Sequence, residues 1–334
     1  MKKFTEKLLI IFVLIISLVS LIKIIYPFIN DQDENIIYNS VQKINNSTTT
    51  DDFSFVVMGD NKNSISTFSK IIKDVNNDDS IKFIINTGDM VFDGNPIKYS
   101  FFIKQIKTLN KPFLPVCGNH DVADGGTDKY NMLFGPLYYS FNTKNSYFIV
   151  LNNSNEENID LWQMKWLIKK LNESKKFDHT FIFMHVPIFD PRVKMENQPG
   201  HSMKNLNNAK KLMSILKSYK IDKIFFGHIH GYYKGNFEGI PYIVTGGGGA
   251  ELVGSNKNHD FYHYIKVTVK NNDVTYDVHK LNSPDFNFID RVGAFLWLYL
   301  YAFIAINYWA IIFALSTLLI LIIYLKNIKS KNNK

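Results

Sequence analysis

The stretch Phe53-Ser-Phe-Val-Val-Met-Gly59-Asp60-Asn61-Lys62 is an apolar run that ends on Gly-Asp. Its Phe and Val residues predict a buried strand over Phe53–Met58. The glycine lets the chain turn off that strand and leaves the Asp60 carboxylate at its C-terminal edge. The construction recurs down the chain. Ile81–Asn86 leads to Gly88-Asp89, and Phe113–Cys117 to Gly118-Asn119-His120-Asp121. Phe181–Met184 leads to His185-Val186-Pro187, and Lys223–Phe226 to Gly227-His228-Ile229-His230. Singly, each has a bland reading as a turn, a polar loop or a surface coincidence. His228 and His230 are two apart and share one face of an extended segment. Together they offer carboxylates, one amide oxygen and imidazoles, a donor set for hard or borderline divalent metals. A metal pair held this way makes a hydroxide and clamps a phosphate.

Working outward, strands and helices alternate. Helices are expected at Ile65–Val75, near Ile97–Leu109, at Asp160–Asn172 and at Leu206–Tyr219. A hairpin is expected around Thr143-Lys144-Asn145, and strands at Tyr242–Thr245, Phe261–Val269 and Val274–Lys280. Early β-α alternation with a strand-rich end implies an α/β fold, a mixed sheet system with helices outside.

The joint pattern resembles the calcineurin-like metallophosphoesterase superfamily over about residues 53–281, with a purple acid phosphatase-like branch as one option. Asp160-Leu-Trp-Gln-Met-Lys-Trp-Leu is similar to that family's Gln-x-x-Trp-Leu helix. Ile240-Pro-Tyr-Ile-Val-Thr-Gly-Gly-Gly-Gly is similar to its Gly-rich strand end. The resemblance implies a four-layer α/β/β/α sandwich with two divalent metal ions (Mn, Fe or Zn) at the strand ends. It implies that Asp89 bridges them, that Asp60 and His230 bind the first, and that Asn119, His185 and His228 bind the second. His120 becomes the acid near the leaving oxygen, with Asp93 or Asp121 orienting it. Asp121 is carried with His120 as a catalytic candidate. The implied activity is hydrolysis of a phosphomonoester or phosphodiester by in-line attack of metal-bound hydroxide.

The sequence departs from that pattern at Lys62, where the family usually has His, and at Phe92, where the purple acid phosphatase branch has Tyr. Three readings of Lys62 follow: water or Asn61 completes the first site, Lys62 contacts the substrate phosphate, or the first metal is weak. The last supports an alternative function, a weak or inactive phosphoesterase-fold binding or sensor protein. His201, in Asn197-Gln-Pro-Gly-His-Ser, is a third substrate-binding candidate beside Lys62 and Asn61. Gly249-Ala-Glu-Leu-Val-Gly254 has P-loop glycine spacing, but Ser255 stands where that loop needs Lys.

One cysteine, Cys117, excludes an intramolecular disulfide framework. The net charge of +8 sits at the ends. Residues 1–30 and 291–334 hold nine of the 38 basic residues and one of the 30 acidic ones, which leaves 29 of each between them. That distribution argues against a nucleic-acid groove and for membrane topology. Leu8–Ile29 matches a ~30 Å hydrocarbon core. Gly293–Leu325 is 33 residues without a formal charge, aromatic first and aliphatic later. It reads as an interfacial helix leading into a span or as one long tilted helix.

The expected organisation is a transmembrane anchor over 1–30 and a linker over 31–52. A catalytic domain over 53–282 and a linker over 283–292 follow, then an interfacial/transmembrane segment over 293–325 and a basic tail over 326–334. Lysines outside both segments place both termini in the cytoplasm and the domain on the far side. The expected partners are the lipid bilayer and a phosphorylated, membrane-proximal substrate.

Overall fold

In the computed structural model, residues 2–29, 34–193, 200–284 and 288–332 are described. The chain divides into two compact units, Gln32–Leu298 and a unit made of Met1–Asp31 with Tyr299–Lys334.

The larger unit is a sandwich of two mixed sheets. The first has the order β11-β10-β1-β2-β3, with β1 (Phe53–Met58), β2 (Ile81–Asn86) and β3 (Phe113–Pro115) parallel. β10 (His263–Lys270) and β11 (Asp273–Lys280) close its other side antiparallel. The second has the order β4-β5-β6-β7-β9-β8, with β5 (Ser146–Val150), β6 (His179–Phe183), β7 (Lys223–Phe226) and β9 (Ile240–Thr245) parallel. β4 (Tyr139–Thr143) and β8 (Tyr232–Phe237) are its antiparallel edges.

The strand alternation explains the packing. Phe55 and Phe83 stack at 5.1 Å and meet Phe148 across the sandwich at 5.4 and 5.6 Å. Helices α3 (Ser66–Asn76) and α4 (Pro96–Ile106) join that core with Phe68, Ile71, Tyr99 and Phe102. Helices α7 (Leu161–Ser174) and α8 (Leu206–Leu216) build the second core through Leu167, Leu171, Leu212 and Leu216. The order helices, sheet, sheet, helices is the expected four-layer α/β/β/α arrangement. Asn95, Asp160 and Asn205 cap α4, α7 and α8 with their side-chain oxygens.

Two linker expectations are corrected. Within 31–52 the chain forms α2 (Ile36–Ser47), which buries Ile37 and Ile44. Ser40 Oγ accepts from Phe113 N at 3.2 Å, so α2 covers β3, the edge of its sheet. Within 283–292 a helix already begins at Phe288: α9 (Phe288–Phe295) runs through a π-helical turn, Leu296–Tyr301, into α10 (Ala302–Asn332). Two smaller α-helices lie between β3 and β4. They are α5 (Asn119–Val122) and α6 (Thr127–Phe134), which buries Tyr130 and Phe134.

In the second unit, α1 (Lys2–Ile29) packs against α10. Ser20 and Ser316 are buried there, with hydroxyls bonded to Ile16 O and Phe313 O. Phe4–Ile29 and Phe288–Lys329 are both long and apolar enough to cross a membrane. The second has 42 residues. A helix of about 20 residues is enough to span a hydrocarbon core.

Candidate metal centre

The C-terminal ends of β1, β2, β3, β6 and β7 bring the five motif stretches together. Asp60, Asp89 and His228 each have a positive φ, of 57°, 55° and 67°. A non-glycine residue there costs about 1–3 kcal/mol and needs outside support. His228 N donates to both Asp60 carboxylate oxygens, at 3.0 and 3.1 Å, and Asp89 N donates to Asp121 Oδ2 at 3.0 Å. The glycines keep the strand ends close. A Cβ on Gly118 would lie 2.3 Å from Asp89 N and Oδ1, and one on Gly246 would lie 2.2 Å from Ile229 O.

Two donor groups share Asp89. In one, His185 Nε2 is 3.3 Å from Asp89 Oδ1 and 3.0 Å from Asn119 Oδ1. His228 Nδ1 is 3.2 Å from both Asn119 Oδ1 and His185 Nε2. Donors about 2.0–2.2 Å from one divalent ion stand roughly 3 Å apart when adjacent. The donor set fits a cation. In the other group, ligand atoms of Asp60, Asp89 and His230 lie within 4.8 Å of one another. His230 Nε2 is 3.6 Å from Asp60 Oδ1.

The rings are oriented from behind, as metal-ligating imidazoles usually are. His185 Nδ1 donates to Thr87 O at 2.8 Å, and His230 Nδ1 to Glu251 O at 2.5 Å. Each leaves Nε2 facing the site. Burial pushes His228 down to about 2 and His230 to about 3, so both are neutral donors. Burial also pushes Asp60 up to about 7. Burial opposes a charge on His185, but Asp89 outweighs it and lifts that ring to about 9. Burial favours the neutral acid at Asp89 too, yet His185 and Lys62 hold it well below the usual carboxylate range.

His120 sits at the rim, 37% exposed, with Nδ1 on Phe92 O at 2.7 Å and Nε2 on Lys62 Nζ at 2.9 Å. Neither Asp93 nor Asp121 orients it. Asp93 accepts from Asn95 N and pairs with Lys98. Asp121 is corrected as a catalytic candidate. Its buried carboxylate accepts from the backbone N–H groups of Asp89, Met90, Val91 and Gly118 at 2.9–3.3 Å. It ties the ends of β2 and β3 together. Asn61 is likewise corrected as a substrate or ligand candidate. It is fully buried, donating to Met90 O and accepting from Asn86 Nδ2. His201 stacks on His228, a donor of the four-residue group, with ring centroids 4.2 Å apart. Lys194–Pro199, part of its loop, lie outside the described residues.

The sequence reading missed two supports. Asn153 clamps Val186 through both its N–H and its carbonyl, fixing the segment after His185. Gln163 of the Gln-x-x-Trp-Leu helix does the same to Asn152 at the end of β5. Both are amides outside the five stretches, and only the folded chain reveals their partners.

A family model described as calcineurin-like phosphoesterase matches residues 53–232. The chain belongs to this family. Members are generally hydrolases, and the family typically binds a dinuclear metal centre. Curated relatives are distant. A probable cyclic nucleotide phosphodiesterase of Xenorhabdus bovienii is 24% identical, over 60% of this chain and 77% of the relative. A 3',5'-cyclic adenosine monophosphate phosphodiesterase of Haemophilus influenzae is 22% identical over 55% and 67%. Purple acid phosphatase 13 of Arabidopsis thaliana is 25% identical over 43% of this chain and only 30% of its own length. A purple acid phosphatase from yellow lupin has the same phosphoesterase fold. It shows a TM-score of 0.54 at 19% identity, covering 72% of this chain and 55% of its own.

Proposed function

We propose that this calcineurin-like phosphoesterase is a membrane-anchored, metal-dependent hydrolase of a phosphomonoester or phosphodiester. The observation that carries the reading is the convergence of Asp89, Asn119, His185 and His228 donors at 3.0–3.3 Å, with His120 beside them. Asp60, Asp89 and His230 would hold a second ion. Two divalent cations, when bound, supply a nucleophile at neutral pH and Lewis acidity toward a phosphoryl oxygen.

The chain's own residues do the rest. His185 and His230, backed by backbone carbonyls, present fixed nitrogens. His120 offers Nε2 at the open face, where it exchanges a proton with the leaving oxygen. Lys62 adds a positive charge for the phosphate. His201, stacked on His228, borders the space where the substrate enters. Relatives named as phosphodiesterases and as a phosphatase support a phosphoester without choosing between mono- and diester. The two apolar helices support anchoring, and the flanking lysines support two cytoplasmic ends with the domain on the far side. The proposed substrate is phosphorylated and membrane-associated.

The test is turnover by full-length protein in detergent. A generic aryl phosphomonoester and a generic aryl phosphodiester are offered with Mn²⁺, Fe²⁺ or Zn²⁺, before and after chelation. Chelator-sensitive turnover of either ester is expected. No turnover with any metal, while metal still binds, would favour the second reading, a binding or sensor protein, which Lys62 beside Asp89 motivates.

A further inference from the structure

Lys62 stands on one side of the shared carboxylate. Its Nζ is 3.5 Å from Asp89 Oδ2, while Asp89 Oδ1 is 3.3 Å from His185 Nε2. One oxygen thus faces the four-donor group, and the other faces an ammonium. The Lys62 side chain is 14% exposed and is held at its far end by His120 Nε2. Its backbone is pinned as well. Lys62 N donates to Asp89 O at 3.0 Å, Asn63 N donates to Met90 O at 2.9 Å, and both residues have positive φ. The lysine is therefore a built part of the site.

The two donor groups are unequal. One has a carboxylate, an amide oxygen and two imidazoles. The other, among the described residues, gathers Asp60, Asp89 and His230. Lys62 Nζ lies 3.5 Å from Asp89, a carboxylate that this group shares with the first. A divalent cation entering there meets an ammonium across a buried, poorly screened gap.

We propose that Lys62 makes metal loading sequential: the four-donor site fills alone, and the Asp60–Asp89–His230 site fills only together with a phosphate-class oxyanion. An oxyanion beside Lys62 would offset the repulsion and would offer further oxygens to the Asp60–Asp89–His230 group. The substrate completes its own second metal site. By linkage, the cation strengthens oxyanion binding by the same factor. This inference rests on the metal-centre reading above, but its readout is metal binding and does not depend on turnover.

The experiment titrates Mn²⁺ into full-length, detergent-solubilised protein with and without inorganic phosphate. Bound metal is counted, and electron paramagnetic resonance distinguishes an isolated Mn²⁺ from a coupled pair. Without phosphate, one tight ion with an isolated signature is expected. With phosphate, two ions with a coupled signature are expected. Lys62→Met, which keeps the stem and removes the charge, should tighten the second ion at least tenfold without phosphate. Two tight ions in wild type without phosphate would overturn the proposal, and so would a single ion in wild type with phosphate. A Lys62→Met protein that still needs phosphate would clear Lys62 as the cause. The wild-type titration decides the sequential loading even if the variant fails to fold. Phosphoester turnover by a protein that loads two ions independently would sink this inference alone. Sequential loading without any turnover would sink the hydrolase reading alone.

Discussion

His120 Nδ1 donates to the carbonyl of Phe92 at 2.7 Å, and that bond leaves Nε2 on the Asp89 side, 3.9 Å from Asp89 Oδ2. Lys62 Nζ then lies 2.9 Å from Nε2, which accepts from it. The ring is held by its own neighbours and sits outside the four-donor cluster. His120→Ala should therefore leave metal content nearly intact while cutting the chemical step by about 10²–10⁴. Single-turnover kinetics with metal analysis checks this. An unchanged rate would remove His120 from the mechanism, and lost metal would make it a ligand or a support.

Asp89 belongs to both donor groups. Asp89→Asn keeps shape but removes the charge that both ions require. Metal content should fall at both sites, and turnover should fall with it. Full metal occupancy and normal turnover in this variant would end the two-site assignment.

The fold was legible because its strands announce themselves twice, by apolar runs and by the Gly-Asp or His residues at their ends. Phe53–Met58, Ile81–Asn86 and Asp273–Lys280 fall where the pattern puts them, give or take a residue. What escaped notice was amphipathic at low contrast. α2 has only Ile36, Ile37, Val41 and Ile44 to pack on the core from an Asn- and Ser-rich segment, and β8 is an edge strand interrupted by Gly235. The chemistry-bearing residue types were legible too. Their supports were not, because a carboxylate such as Asp121 and an amide such as Asn61 look the same whether aimed at substrate or at backbone.

Asp121 carries the clearest stability prediction. Four backbone N–H groups converge on its buried carboxylate. Asp121→Ala leaves them without an acceptor, and an orphaned buried donor costs about 1–3 kcal/mol. A loss of several kcal/mol is expected, read as a large fall in Tm, with metal affinity falling as the β2 and β3 ends separate. Asp121→Asn keeps an acceptor and should lose less. A Tm for Asp121→Ala within a degree of wild type would show that the bonds are dispensable.

The topology proposed above rests on the lysines at the outer flanks of both apolar segments. Protease added to spheroplasts should cut within 34–284, while tags at both termini stay protected. A protected middle with accessible termini would reverse the orientation. A mature chain beginning near residue 30 would show that the first segment is removed.

His263 supplies a pH signature outside the proposed metal centre. The ring is fully buried, with Nδ1 on Phe261 O at 2.9 Å and Nε2 beside Thr245 Oγ1 at 3.1 Å. Burial pushes its pKa down to about 4, from an ordinary value of 6.5. Between those two values the unfolded chain binds a proton that the folded ring refuses. Stability therefore rises with pH across this window, and acidification through it favours unfolding. The shift corresponds to about 3 kcal/mol, present in full above the upper value and gone below the lower one. His263→Gln does not titrate. It should be less stable than wild type at pH 7, with the gap in Tm closing progressively toward pH 4. Thermal unfolding followed by tryptophan fluorescence at several pH values measures the gap. A gap that stays constant from pH 7 to pH 4 would mean that the ring titrates alike in both states, and that its burial is not what keeps it neutral.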